Sequence, residues 1–173
     1  MNKDSLKIRK AVIADAKGIG KVHVDSWKTT YENIVPAEFL SNLTYESREK
    51  VWINEIPKGG VYVAENSVGE IVGFSSGGKE RSGKYKGFDG ELYAIYILKK
   101  YQGKGIGKAL VQPIINEITG MGLNSMLVLV LKDNSSRLFY EALGGKKLDE
   151  VEIKIAGKRL SEYVYGWRDV REF

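Results

Sequence analysis

The residues with the clearest chemical purpose lie together, in Tyr101-Gln102-Gly103-Lys104-Gly105-Ile106-Gly107-Lys108-Ala109-Leu110. Glycines let a backbone approach a ligand closely and take positive φ. If a helix starts here, its first N–H groups and partial positive charge face whatever sits at its end. Lys104 and Lys108 add full charges. Such a turn suits a phosphate or pyrophosphate. Two familiar phosphate loops are excluded by spacing. A G-x-x-x-x-G-K-[ST] loop would need glycine where Gln102 stands and a hydroxyl where Ala109 stands. A G-x-G-x-x-G turn would end on Lys108 or Leu110, depending on register. The pattern that fits in full is [QR]-x-x-G-x-[GA], through Gln102, Gly105 and Gly107. A glycine-rich strand–helix turn with no ligand is the alternative.

Elsewhere the reactive candidates are few. Tyr140 sits in Leu138-Phe139-Tyr140-Glu141, Glu91 leads an apolar run, and Glu32 and the lone His23 complete the set. With no cysteine, disulfides, thiolate zinc sites and a cysteine nucleophile are excluded. One histidine excludes a multi-histidine metal site and confines any Ser-His-Asp triad to His23. The 173 residues, 43% apolar and 28% charged, predict one globular domain spanning 1–173. No apolar run nears the roughly 18–20 residues of a membrane span, and residues 1–5 do not read as a leader. The expectation is a soluble, cytoplasmic protein. An excess of 27 Lys+Arg over 22 Asp+Glu gives +5. Without any long basic block, this suits an anionic small ligand better than nucleic acid.

The turn must be positioned by the elements around it. Residues 6–12 alternate as a strand, and a helix opens at Asp15 with Ile19, His23 and Trp27 on one face. A loop with Pro36 follows, then a helix over 47–56. Residues 61–65 and 70–76 read as a hairpin and 77–90 as a loop. Residues 91–98 form a strand whose alternation places Glu91, Tyr93, Ile95 and Ile97 together. After the glycine turn, Leu110, Val111, Ile114, Ile115 and Ile118 mark a helix face, with a kink expected at Pro113. Residues 125–131 read as a parallel strand covered on both faces. Asp133-Asn134 then caps a helix with Leu138, Phe139, Ala142 and Leu143 facing inward, ended by Gly144-Gly145. Strands over 147–155 and 159–167 finish the chain.

With this context the turn resembles the pyrophosphate motif of the GNAT N-acetyltransferase superfamily. Leu92-Tyr93-Ala94-Ile95-Tyr96-Ile97-Leu98 is similar to the family's fourth strand, and Phe139-Tyr140-Glu141-Ala142-Leu143-Gly144 to the end of its last helix. The resemblance covers essentially the whole chain. It implies a single-domain α/β fold: a mixed sheet of about six to seven strands, splayed between the fourth and fifth, with about four helices. It implies acetyl-coenzyme A as cosubstrate, no metal, and a small-molecule or protein amine as acceptor.

Carried onto this chain, Gln102, Gly103, Lys104, Gly105, Ile106, Gly107 and Lys108 would hold the pyrophosphate. Ile95, Tyr96 and Ile97 would pair with the pantetheine arm like an added strand. The Ile97 N–H is the expected oxyanion donor. Asn134 either contacts that arm or caps its helix. Tyr140 either protonates the departing thiolate or only packs. Glu91 or Glu32 would take the amine's proton, and His23 is better suited to packing than to catalysis. Trp27, Tyr31 and Tyr45 line the acceptor cleft or belong to the core. A GNAT-like module that binds coenzyme A or nucleic acid without turnover is the competing class. A homodimer is left open.

Overall fold

A computed structural model describes residues 5–173, and Met1-Asn2-Lys3-Asp4, part of the stretch read above as lacking a leader, lie outside them. Strands β1 (Lys7–Lys10), β2 (Val61–Glu65), β3 (Ile71–Lys79), β4 (Gly90–Ile97), β5 (Met126–Leu131), β6 (Lys146–Ile155) and β7 (Lys158–Trp167) form one sheet. Its order is β1-β2-β3-β4-β5-β7-β6. β4 and β5 are parallel, and the other neighbours antiparallel. Helices α1 (Ala16–Thr30) and α3 (Tyr45–Glu55) bury Ile19, Val22 and Trp52 against Val63 and Phe74 on one face. Between them lies a short α2 (Ala37–Ser41). Helix α4 (Ile106–Gly120) covers the opposite face, burying the five apolar residues its period predicts. Helix α5 (Ser136–Ala142) joins α4's side through Tyr140.

Several local expectations need correction. Residues 37–41, read as loop, form α2 directly behind Pro36. β3 continues through Gly77 and Gly78 instead of ending at Ser76. Glycine is required at 77 for closeness rather than for a turn, since a Cβ there would run into Ile114. β5 is not covered on both faces, as Leu129 stands 38% exposed. It pairs in parallel with β4 only briefly and antiparallel with β7 along its whole length. α4 runs unbroken through Pro113. On α5 the inward residues are Phe139, Tyr140 and Leu143. Leu138 is exposed, as is Ala142, because this two-turn helix is rotated so that its Tyr140 edge meets the sheet.

The largest departure is inside β4. Ser76 pairs with Ala94, but Gly77 pairs with Leu92, so Tyr93 is an extra residue. This bulge breaks strict alternation. Leu92 and Ile95, three apart, both pack towards α4, while Ala94 and Tyr96 face α1 and α3. Glu91 therefore lies on the α1 face, opposite Ile95 and Ile97, and not in line with them.

Candidate active site

β4 and β5 are bonded at Gly90↔Met126, Glu91↔Leu127 and Leu92↔Val128, and then separate. The opening is a V whose β4 edge has no β5 partner beyond Leu92. A cavity of about 350 Å³ occupies it. Ile95, Tyr96 and Ile97 form one wall; Ser135, Ser136, Phe139 and Tyr140 form the other, with Thr30 at the α1 end. Gln102, Gly103, Gly105, Gly107 and Lys108 close the mouth.

The mouth is built by backbone. Gln102 donates from Nε2 to the Ile97 carbonyl at 3.1 Å, tying the turn to the end of β4. Gly105 caps α4 in the left-handed region at φ 81°. A Cβ at Gly103 or Gly105 would meet nothing within 4 Å, so the turn presents an open backbone face. Behind it, the first N–H groups of α4 have no acceptor within the helix. Gly107 is needed for another reason: a Cβ there would stand 3.0 Å from Phe139, the residue that seats α5 on α4. Lys108 reaches the cavity, whereas Lys104 has its Nζ 5.7 Å from the Tyr101 ring centre. The Ile106 side chain points away into the core with Leu110 and Val72.

At the inner end, three tyrosines gather. Tyr140 is 5% exposed, and burial holds its phenol above the ordinary tyrosine range, with Tyr31 nearby adding to the effect. The Tyr31 and Tyr96 hydroxyls are 3.2 Å apart, and Asn134 Nδ2 donates to Tyr31 at 3.3 Å. Tyr31 thus bridges the two arms of the V. Burial raises both its phenol and that of Tyr96. Asn134 also accepts from the Ser136 N–H at 2.9 Å through Oδ1, which is a capping contact at the start of α5. Its side chain is buried, and the next residues, Ser135 and Ser136, line the cavity in its place.

The remaining predicted residues divide clearly. Trp27 lies against Tyr31, with ring centres 4.4 Å apart, and both belong to the apolar cluster of Val35 and Leu40. Tyr31 faces the reacting end only through its hydroxyl. Tyr45 is instead exposed and donates to Asp25 at 2.6 Å. His23 stacks on Tyr96 at 5.7 Å and accepts from Trp52 Nε1 at 3.1 Å. Burial, with Arg48 assisting, lowers its pKa to about 4, so the ring is neutral near pH 7 and structural. Glu32 is exposed just beyond α1.

Glu91 does not join Tyr140 in the cavity. Its carboxylate is 3% exposed and accepts from Arg81 Nη2 at 2.8 Å and from the Arg81 backbone N–H at 3.1 Å. It stands where β4 and β5 are still paired. The bulge at Tyr93 and this ion pair together remove it from the position that simple alternation predicts. Thr30, Ser135 and Ser136 are lining residues that the sequence leaves unmarked, since nothing about their types sets them apart from ordinary helix-end residues.

These features recur in known proteins. Residues 25–144 match the acetyltransferase (GNAT) family. The uncharacterized N-acetyltransferase YuaI of Bacillus subtilis is 42% identical over 94% of this chain and 93% of its own. An L-methionine sulfoximine/L-methionine sulfone acetyltransferase of Pseudomonas paraeruginosa is 27% identical over 78% of this chain and 76% of its own. Among solved structures, the PaiA N-acetyltransferase of Thermoplasma acidophilum, in complex with coenzyme A, superposes with a TM-score of 0.74. It is 23% identical, over 94% of this chain and 98% of that one. The chain belongs to the GNAT acetyltransferase family and is an acyltransferase of that type.

Proposed function

We propose that the protein transfers an acetyl group from acetyl-coenzyme A to a primary amine by direct attack. The observation that carries this is the arrangement of one cavity in the β4/β5 opening, with an anion-binding backbone turn at one end and a buried phenol at the other. The pyrophosphate sits on the backbone of residues 103–108, with Lys108 adding charge. The pantetheine arm runs along the unpaired edge of β4, past Ile95, Tyr96 and Ile97, and its thioester reaches Tyr140. Asn134 supports the arm from the other wall.

The chemistry follows from that placement. A neutral amine nitrogen attacks the thioester carbonyl carbon, and the developing oxyanion is met by the Ile97 N–H. Collapse forms the amide and breaks the carbon–sulfur bond. The coenzyme A thiolate takes a proton from Tyr140, and the phenolate is restored by the second proton that the nitrogen gives up on becoming an amide. Burial keeps that phenol protonated at neutral pH, as a proton donor must be. Trp27 and Tyr31 bound the acceptor side. The relative named for methionine sulfoximine and sulfone favours a small amino-acid-like amine over a protein amine.

The test is acetyl-coenzyme A with a panel of amines, followed by thiol release and mass spectrometry of the product. Acetylation of at least one amine, dependent on the protein, is the expected result. Slow hydrolysis alone, equal across the panel, would reject the proposal.

A further inference from the structure

An amine with pKa near 10.4 must lose a proton before it attacks. Among the described residues no carboxylate or imidazole lines the cavity; the Tyr140 phenol there is held protonated, and Glu91 lies outside it, bound by Arg81. The sheet offers another carboxylate. On β7, Glu162 stands opposite Leu131 of β5 and Val151 of β6, so it shares the α1 face with them. Neighbouring cover leaves a gap there. The α1–α2 region closes over Leu131 and Leu160, and the segment before β4 closes over Leu127 and Val164 through Tyr85 and Phe88. Between these covers Leu129 lies 38% exposed, although it is central in the sheet. Glu162 is half-buried beside it and has no hydrogen bond or ion pair among the described residues.

Resting on the acetyl-transfer proposal above, we infer that Glu162 receives the acceptor's ammonium group and takes its proton. The acceptor class is then a cationic alkylamine whose carbon chain lies on Leu129. The groups that face Glu162 are Glu91 with its partner Arg81, Tyr31 at the end of α1, and Tyr85, whose hydroxyl is held by Asp149 of β6. Glu91 is already paired with Arg81, whereas the Glu162 side chain has no partner among the described residues, so it presents the free carboxylate that an ammonium seeks. Burial, and Glu91 behind it, raise the Glu162 pKa above the usual carboxylate range, which suits a base. Leu131, directly opposite Glu162, packs in one cluster with Tyr31 and Tyr96, so Glu162 borders the aromatic group that reaches from α1 to the β4 wall of the cavity. The proton passes from ammonium nitrogen to the Glu162 carboxylate. The neutral amine attacks, and the carboxylic acid returns its proton to solvent when product leaves.

The experiment compares wild type with Glu162→Gln and Glu162→Asp, using the best acceptor from L-methionine sulfone, spermidine and an alanine-initiated peptide. In Glu162→Gln, kcat/KM falls by roughly 100- to 10,000-fold and the acidic limb of its pH profile disappears. Coenzyme A affinity stays at the wild-type value, and Glu162→Asp recovers part of the rate with the limb present. A Gln variant within threefold of wild type, with its limb unchanged, overturns the inference and leaves acetyl transfer standing. If the Gln variant also loses coenzyme A affinity, Glu162→Asp decides. An acidic limb that is present but displaced in pH, with intact coenzyme A binding, supports the role, and a limb identical to that of wild type overturns it. Failure of wild type on every acceptor overturns both this inference and the proposal beneath it.

Discussion

Replacing Tyr140 by phenylalanine removes one oxygen atom from a side chain that is 5% exposed and packed edge-on against Phe139 and Trp167. Among the described residues its hydroxyl has no hydrogen-bond partner, so no intramolecular bond is broken. Ring packing is unchanged, and the expected change in unfolding free energy is within about 0.5 kcal/mol. In the proposed mechanism turnover depends on the same oxygen, through the proton it gives the thiolate. Loss of a positioned general acid costs roughly a hundred- to ten-thousandfold, or about 3–5 kcal/mol of transition-state stabilisation. The assay is single-turnover thiol release at saturating acetyl-coenzyme A, paired with urea unfolding. Unchanged single-turnover rates would refute the acid role and leave Tyr140 as packing. A destabilisation above 2 kcal/mol would show that the hydroxyl has a structural partner.

Other perturbations separate the neighbouring roles. Tyr31→Phe removes contacts to both Tyr96 and Asn134 and should cost about 1–3 kcal/mol in urea unfolding; no loss would show that the bridge across the V is idle. Glu91→Gln breaks the pair with Arg81. A cost of about 1–2 kcal/mol is expected, because the arginine end stays in water, and the acidic limb of the rate profile should persist. Disappearance of that limb in a fully stable variant would return the base role to Glu91. His23 has a folded pKa of about 4, below its usual 6.5, so acid favours the unfolded chain. Stability should fall by up to about 3 kcal/mol between those two pH values and level off below them, and His23→Gln should flatten that interval. Equal pH dependence in both proteins would contradict the buried, neutral imidazole.

What the sequence displays is what is local. Gln102, Gly105 and Gly107 announce their turn because three neighbouring residues create it, and the α4 face is legible because its period repeats over four turns. The bulge at Tyr93 depends on how β3 aligns with β4, which no alternation within β4 reveals. It turns Glu91 to the other face, where Arg81 holds it. Tyr31, Tyr96 and Asn134 meet across long stretches of chain, and their types suggest only core and cap. Glu162 lies in a strand rich in charge, Lys-Arg-Leu-Ser-Glu-Tyr, where a glutamate looks solvated until β5, β6 and the α1–α2 region enclose it. Aromatic position was readable in part: Trp27 and Tyr31 read as either core or cleft, and both pack in the apolar cluster of Val35 and Leu40, with the Tyr31 hydroxyl meeting that of Tyr96.

The central claim is that the glycine turn and the β4/β5 opening bind acetyl-coenzyme A. Calorimetric titration of the cosubstrate into wild type and Gly105→Glu tests it most directly. Gly105 has φ 81° and an open face, so glutamate there adds backbone strain of about 1 kcal/mol and sets a carboxylate where the pyrophosphate is proposed to bind. Wild type should bind one equivalent at micromolar affinity, and the variant should bind at least tenfold more weakly while remaining folded. Equal affinity in the two proteins would contradict the claim.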